Sequence, residues 1–142
     1  MKIEQEIEIR QISIYCDVFK TILKEHSILS ISKACVFSFL VWQESLLGSC
    51  IFKSNMTKNI VPTYLSLLLG KQEQFLKSYE YMLKALNLLI ANSIIKYNNG
   101  MLQLLNLDCQ PICKENEFTK KVIEESKRWS DKNFMREVLY NV

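Results

Sequence analysis

Two short apolar runs flank Asn98-Asn99-Gly100 in "LNLLIANSIIKYNNGMLQLLN", residues 86 to 106, and they constrain the fold of this chain more than any other feature. Asn and Gly are the residue types that best tolerate positive φ, so Asn99-Gly100 predicts a two-residue type I′ turn. A turn there sets Tyr97 opposite Leu102, Lys96 opposite Gln103 and Ile95 opposite Leu104. Because strand side chains alternate, Ile95, Tyr97, Leu102 and Leu104 share one face, and Lys96, Asn98, Met101 and Gln103 share the other. One apolar face and one mostly polar face suit a hairpin that lies on a core. An isolated hairpin is marginal in water, so this one must pack on the helix ahead of it. A helix followed directly by a small hairpin is the closing half of a winged-helix unit.

The helix ahead spans 71 to 92. Phe75, Tyr79, Met82, Leu86 and Leu89 follow four-three spacing, with Leu76, Leu83 and Ile90 beside them. Lys77, Glu80, Lys84 and Asn87 form the opposite stripe, in which Glu80 and Lys84 make an i,i+4 pair worth a few tenths of a kcal/mol. A second helix is expected over roughly 31 to 45, with Ser30 or Ser32 as its N-cap. It is apolar on nearly every side, which puts it either at the centre of the domain or partly under a partner. Pro62 biases Val61 away from α geometry and opens the short helix "TYLSLLLG", which Gly70 closes. In the first fourteen residues Ile3, Ile7, Ile9, Ile12 and Ile14 fit either an edge strand or the start of a helix. From about residue 10 a helix is expected, ending at His26-Ser27. After an irregular stretch containing Pro111, two helical pieces cover 118 to 140 and hinge near Ser130-Asp131.

The expected fold is therefore mainly α: a winged-helix-like helical domain with one β-hairpin at about residues 94–105. Residues 10–106 form its core and 107–142 a C-terminal helical extension, all within a single domain 1–142. The composition agrees, since 49% apolar and 23% charged residues describe a globular chain, and 3 Gly with 2 Pro leave little loop punctuation. A net charge of +3 is low for a dedicated DNA-binding domain. "MKIEQEIEIR" is too charged to start a signal peptide, and "ACVFSFLVW" is about half of the roughly 20 residues a membrane span needs. Five cysteines without a regular framework suit a reducing compartment. A soluble cytoplasmic protein without membrane contact is expected.

No catalytic, metal or cofactor site is expected. Cys109 and Cys113 lack the second ligand pair that a zinc site needs. His26, the one histidine, has no Ser or Cys partner in sequence and belongs to a helix end, where a cation or a carbonyl partner is common. There is no glycine-rich phosphate loop. Glu4, Glu6 and Glu8 are a solvated acidic stretch. Lys120, Lys121, Lys127 and Arg128 beside Trp129 form the densest basic region, diluted by Glu124 and Glu125. Lys77, Lys84, Lys96, Lys127 and Arg128 are the candidate nucleic-acid contacts.

Three segments resemble the middle component of bacterial three-component ABC systems, the group that includes Lamassu-type defence. "SNMTKNIVPTYLSLLLG" is similar to that family's Thr-Arg-x-x-Leu-Pro segment, represented here by Thr57, Lys58, Val61 and Pro62. "FLKSYEYMLKALNLLIANSIIKYNNGMLQL" is similar to its helix-then-wing core, and "VIEESKRWSDKNFMREVLYNV" to its Trp-containing closing helix. Lys58 replaces the usual Arg, Ser126 a common Gly, and Tyr140-Asn141 a Leu-Gly. The resemblance implies a small non-catalytic subunit between an SMC-like ABC ATPase and an effector, often a nuclease, acting against phage or plasmids. Any DNA contact would then come through the complex. Residues 31–45 and 118–142 are the expected partner surfaces, with Trp42, Trp129, Phe134 and Leu139 as anchors. The rival readings are a stand-alone winged-helix DNA-binding regulator and a phage-encoded inhibitor.

Overall fold

The computed structural model describes residues 2–47, 58–105 and 117–141. Its elements are α1 (Ile3–His26), β1 (Ile28–Ser30), α2 (Ile31–Leu47), α3 (Ile60–Leu65) with a following 3-10 turn (Ser66–Leu68), α4 (Gln72–Ala91), β2 (Ile95–Asn98), β3 (Met101–Leu104), α5 (Glu117–Ser126) and α6 (Asp131–Asn141).

Helix α2 has no polar face because it runs between two layers. Side chains two positions apart on a helix point to opposite sides. Phe39 meets Phe75 of α4 edge-on at 5.3 Å, whereas Phe37 meets Phe134 of α6 at 5.3 Å and Tyr64 of α3 at 6.1 Å. One layer is α1, α4 and the sheet; the other is α3, α5 and α6. Every residue from 34 to 41 is buried. Of the two alternatives for this helix, the structure takes the domain centre. Over residues 34–41 its apolar surface is covered by its own chain, which corrects the expectation that this stretch faces a partner.

The hairpin follows the register expected from its turn. Ile95 pairs with Leu104, Lys96 with Gln103 and Tyr97 with Leu102. Asn99 and Gly100 have φ of 51° and 79°, the two positive values of a type I′ turn. Ile95, Leu102 and Leu104 are buried, but Tyr97 is half exposed on β2, an edge strand of the sheet among the described residues.

A third strand adds to this hairpin. β1 pairs antiparallel with β3, giving the order β1-β3-β2 and placing β3 in the middle. Helix, strand, then helices α2, α3 and α4 and a hairpin that returns to the first strand make the winged-helix-like arrangement.

Four local points bear on the expectations. Helix α1 starts at Ile3, with the Gln5 side-chain oxygen accepting from the Lys2 N–H at 3.2 Å and with Glu4 and Glu6 in the first turn, where the helix dipole favours acids. Helix α3 starts at Ile60 and includes Val61, although Pro follows it. The first turn has no intrahelical use for its N–H groups, so Pro62 is tolerated there, and burial of Ile60, Val61, Tyr64 and Leu65 outweighs the local bias. Ser30 is the N-cap of α2, its Oγ accepting from the Lys33 N–H at 3.3 Å. Gly70 closes the α3 segment at φ 78°, as its position implied.

Candidate functional site

The polar residues that the fold brings together lie where the α5–α6 joint docks on the corner formed by α1, β1 and α2. His26, the last residue of α1, is 2% exposed, and its Nδ1 lies 2.5 Å from Glu124 Oε2 on α5. An ionised carboxylate only accepts, so Nδ1 carries the proton. Lys127 Nζ donates to the His26 carbonyl at 2.7 Å and pairs with Glu124 at 3.1 Å. A cation on the last-turn carbonyls of α1 satisfies groups that the helix leaves without partners. Burial pushes the Glu124 carboxyl up, but the hydrogen bonds from His26 and Lys127 outweigh it and hold the group below its ordinary 4.5.

Lys33 makes the second tie. It is the one charged residue in the apolar stretch of α2, it is buried, and its Nζ donates to the Trp129 carbonyl at 2.6 Å, with Asp131 at 3.8 Å. Burial lowers its pKa from 10.5, against the pull of Asp131. A third tie is Thr119 Oγ1, which donates to Glu44 Oε2 at 3.1 Å. Between β1, the wing tip and the joint lies a cleft of about 360 Å³ lined by His26, Ile28, Lys33, Met101 and Lys127. Its two ammonium groups already bind backbone carbonyls, so they act as clamps on the C-terminal helices.

The expected partner anchors have different fates. Phe134 is fully buried against Phe37, so it is not available on this surface and its role as an anchor is corrected: the core of the chain itself covers it. Trp42 is half-buried and shares a cleft of about 390 Å³ with Tyr15, Lys77 and Tyr81. Trp129 is half-buried beside Arg128 and Arg136 in a cleft of about 400 Å³. Leu139 is 71% exposed, next to Tyr140 at 85%.

The candidate nucleic-acid contacts are spread over several elements. Lys77 and Lys84 lie on α4, Lys96 on the solvent face of the sheet, and Lys127 and Arg128 at the joint. Lys84 pairs with Glu80 at 3.3 Å, as its spacing implied, and also with Glu8 of α1. Its pKa is raised, first by the Glu8 hydrogen bond and then by that of Glu80. Arg128 pairs with Glu125 at 3.5 Å. Three of the five cations thus sit against carboxylates.

Burial pushes the Cys35 thiol up to about 12, and burial together with the Asp17 charge raises Cys16, the opposite of what a nucleophilic thiol needs. Among the described residues no group of three or more His, Cys, Asp or Glu side chains is placed to hold a metal ion, and no helix is long and apolar enough to cross a membrane. Cys109 and Cys113 lie outside the described residues.

Sequence reasoning missed Lys33 and the pairing of His26 with Glu124. A single lysine inside "ISKACVFSFLVW" was a usable signal, because a buried ammonium requires a partner. His26 and Glu124 are 98 positions apart and no local pattern joins them. No protein-family model matches the chain, and no match is found among curated proteins or among solved structures.

Proposed function

We propose that the protein is a non-catalytic adaptor subunit of an SMC-like ABC ATPase defence complex, linking the ATPase to an effector such as a nuclease in immunity against phage or plasmids. The likeness of three segments to the middle component of such systems supports this reading. The observation that carries it is the end of α6. This helix buries Phe134 and Val138 and is held through the Lys33 and Lys127 clamps, yet it presents Leu139 and Tyr140 almost fully to solvent. Adjacent exposed apolar side chains on a fixed helix mark a surface that other proteins use.

Co-expression with the ATPase and effector of the same operon, followed by size-exclusion chromatography, tests it. Co-elution is expected, and Leu139→Asp with Tyr140→Ser should weaken it about tenfold or more, the range of an interface anchor. Elution of the folded chain apart from the ATPase at every ratio defeats the reading. A second reading, a winged-helix DNA-binding regulator, draws on the position of α4 directly before the wing and on the outward-facing Lys77 and Lys96. It requires a salt-sensitive shift of duplex DNA that these lysines control.

A further inference from the structure

The flank of α1 turned away from the core carries charges that complement themselves when the helix is reversed. Glu6, Arg10, Ser13, Asp17, Lys20 and Lys24 follow four-three spacing and so form one stripe, about 27 Å long at the helical rise. Glu6, Arg10, Ser13 and Lys24 are exposed; Asp17 and Lys20 are half-buried. From Glu6 to Lys24 the signs run minus, plus, then past Ser13 minus, plus, plus, and the self-complementary part is Glu6 to Lys20.

When a second copy of α1 lies antiparallel across a two-fold axis at Ser13, Glu6 comes level with Lys20 of that copy and Arg10 with its Asp17. The two-fold repeats each pair, so four opposite-charge contacts form from two residue pairs. The offsets are about half a residue, under roughly 1 Å along the axis. Parallel pairing stacks each charge on itself and is repelled. Ser13, with its small side chain, sits where the helices approach most closely.

Apolar surface accompanies the stripe. Ile9 and Ile14 line a shallow depression of about 540 Å³ together with Glu6, Arg10, Ser13 and Asp17. Ile9 is 55% exposed and Ile3 75%, in the first turns of a helix whose buried residues begin only at Tyr15. Ile14 falls about one and a half residues from its own symmetry mate, roughly 2 Å along the axis. Asp17 bonds Lys20 of its own helix at 3.2 Å, and an incoming Arg10 adds a second cation to that carboxylate.

We propose that the outer flank of α1 is a homodimer surface, on which a second copy of this chain docks antiparallel across a two-fold axis at Ser13. The proposal stands apart from the adaptor reading, because it uses a different face and a different partner. A partner other than this chain has no need of a stripe complementary to itself.

Sedimentation equilibrium of the full chain over a concentration series, at low and high salt, tests it. A monomer–dimer equilibrium that weakens with salt is expected. Arg10→Asp alone and Asp17→Arg alone each set like charges together and should raise the dissociation constant about tenfold or more. The double variant Arg10→Asp/Asp17→Arg restores opposite signs and should return to within about threefold of the parent, as coupled positions do. Circular dichroism checks that each variant is folded. If one is not, Ser13→Arg, at an exposed position, places two cations on the axis and must give monomer. A chain that is monomeric at every concentration, a double variant no better than the singles, or an unaffected Ser13→Arg dimer overturns the proposal.

Discussion

The wing and the C-terminal strap are held by opposite kinds of information. Residues 95–104 carry their own turn, register and face pattern within ten positions. Helices α5 and α6 carry an amphipathic pattern but no statement of where it lands. What fixes them is a set of contacts reaching 75 to 98 positions along the chain: Thr119 to Glu44, Lys33 to the Trp129 carbonyl, and His26 to Glu124. The wing needs the core for stability, whereas the strap needs it for location as well.

Phe134→Ala is the strongest way to break this contrast. It removes a fully buried ring from between α6 and Phe37. Losses on emptying such a site are about 3–5 kcal/mol. Urea unfolding should show the loss, and hydrogen exchange should show α5 and α6 opening before residues 95–104 do. If the wing exchanges together with the strap, the distinction between local and long-range specification disappears.

Gly100→Ala probes the wing itself at lower cost. A methyl group at Gly100 meets nothing within 4 Å, so no contact is disturbed and only the backbone at φ 79° is strained. A left-handed conformation costs an L-residue about 1–2 kcal/mol. The expected drop in stability is of that size, with the α5–α6 amides unaffected in their order of exchange. A larger loss means that the turn supports more than the hairpin.

The same contrast explains how much was legible beforehand. The hairpin register was readable pair by pair, because a type I′ turn leaves one pairing for the strands it joins. Helix α4 and the break near Ser130 were readable from periodicity, and at that break Ser130 Oγ accepts from the Asn133 N–H at 3.1 Å. Strand β1 was not, since three residues are too few to show alternation and the partner strand lies far along the chain. The isoleucines at the start of α1 mimic a strand because Ile3, Ile7 and Ile9 have no core to face. Phe134 and Val138 showed that one side of the last helix is apolar, but no sequence pattern says whether the chain itself or a partner covers that side. At the clamp only Lys33 left a trace, a lone cation in an apolar helix. Glu124 looked like any solvated acid.

Glu124 gives the finest test of the strap. Its carboxyl is held below the ordinary 4.5 by hydrogen bonds from His26 and Lys127, in spite of the desolvation that pushes it up. A carboxylate with a lower pKa in the folded state binds fewer protons there than in the unfolded chain. Its contribution is therefore complete above about pH 4.5 and is lost as pH falls through the folded value. Glu124→Gln keeps the shape and an acceptor oxygen for His26 while removing the charge. Because the Glu124 side chain is 54% exposed, solvent screens the pair and the loss near neutrality should be about 0.5–1 kcal/mol. Other acids also destabilise the chain at low pH, so the informative quantity is the difference between parent and variant. That gap should close as pH falls below about 4.5. A gap that stays open in acid means that packing, not charge, seats α5 on the end of α1.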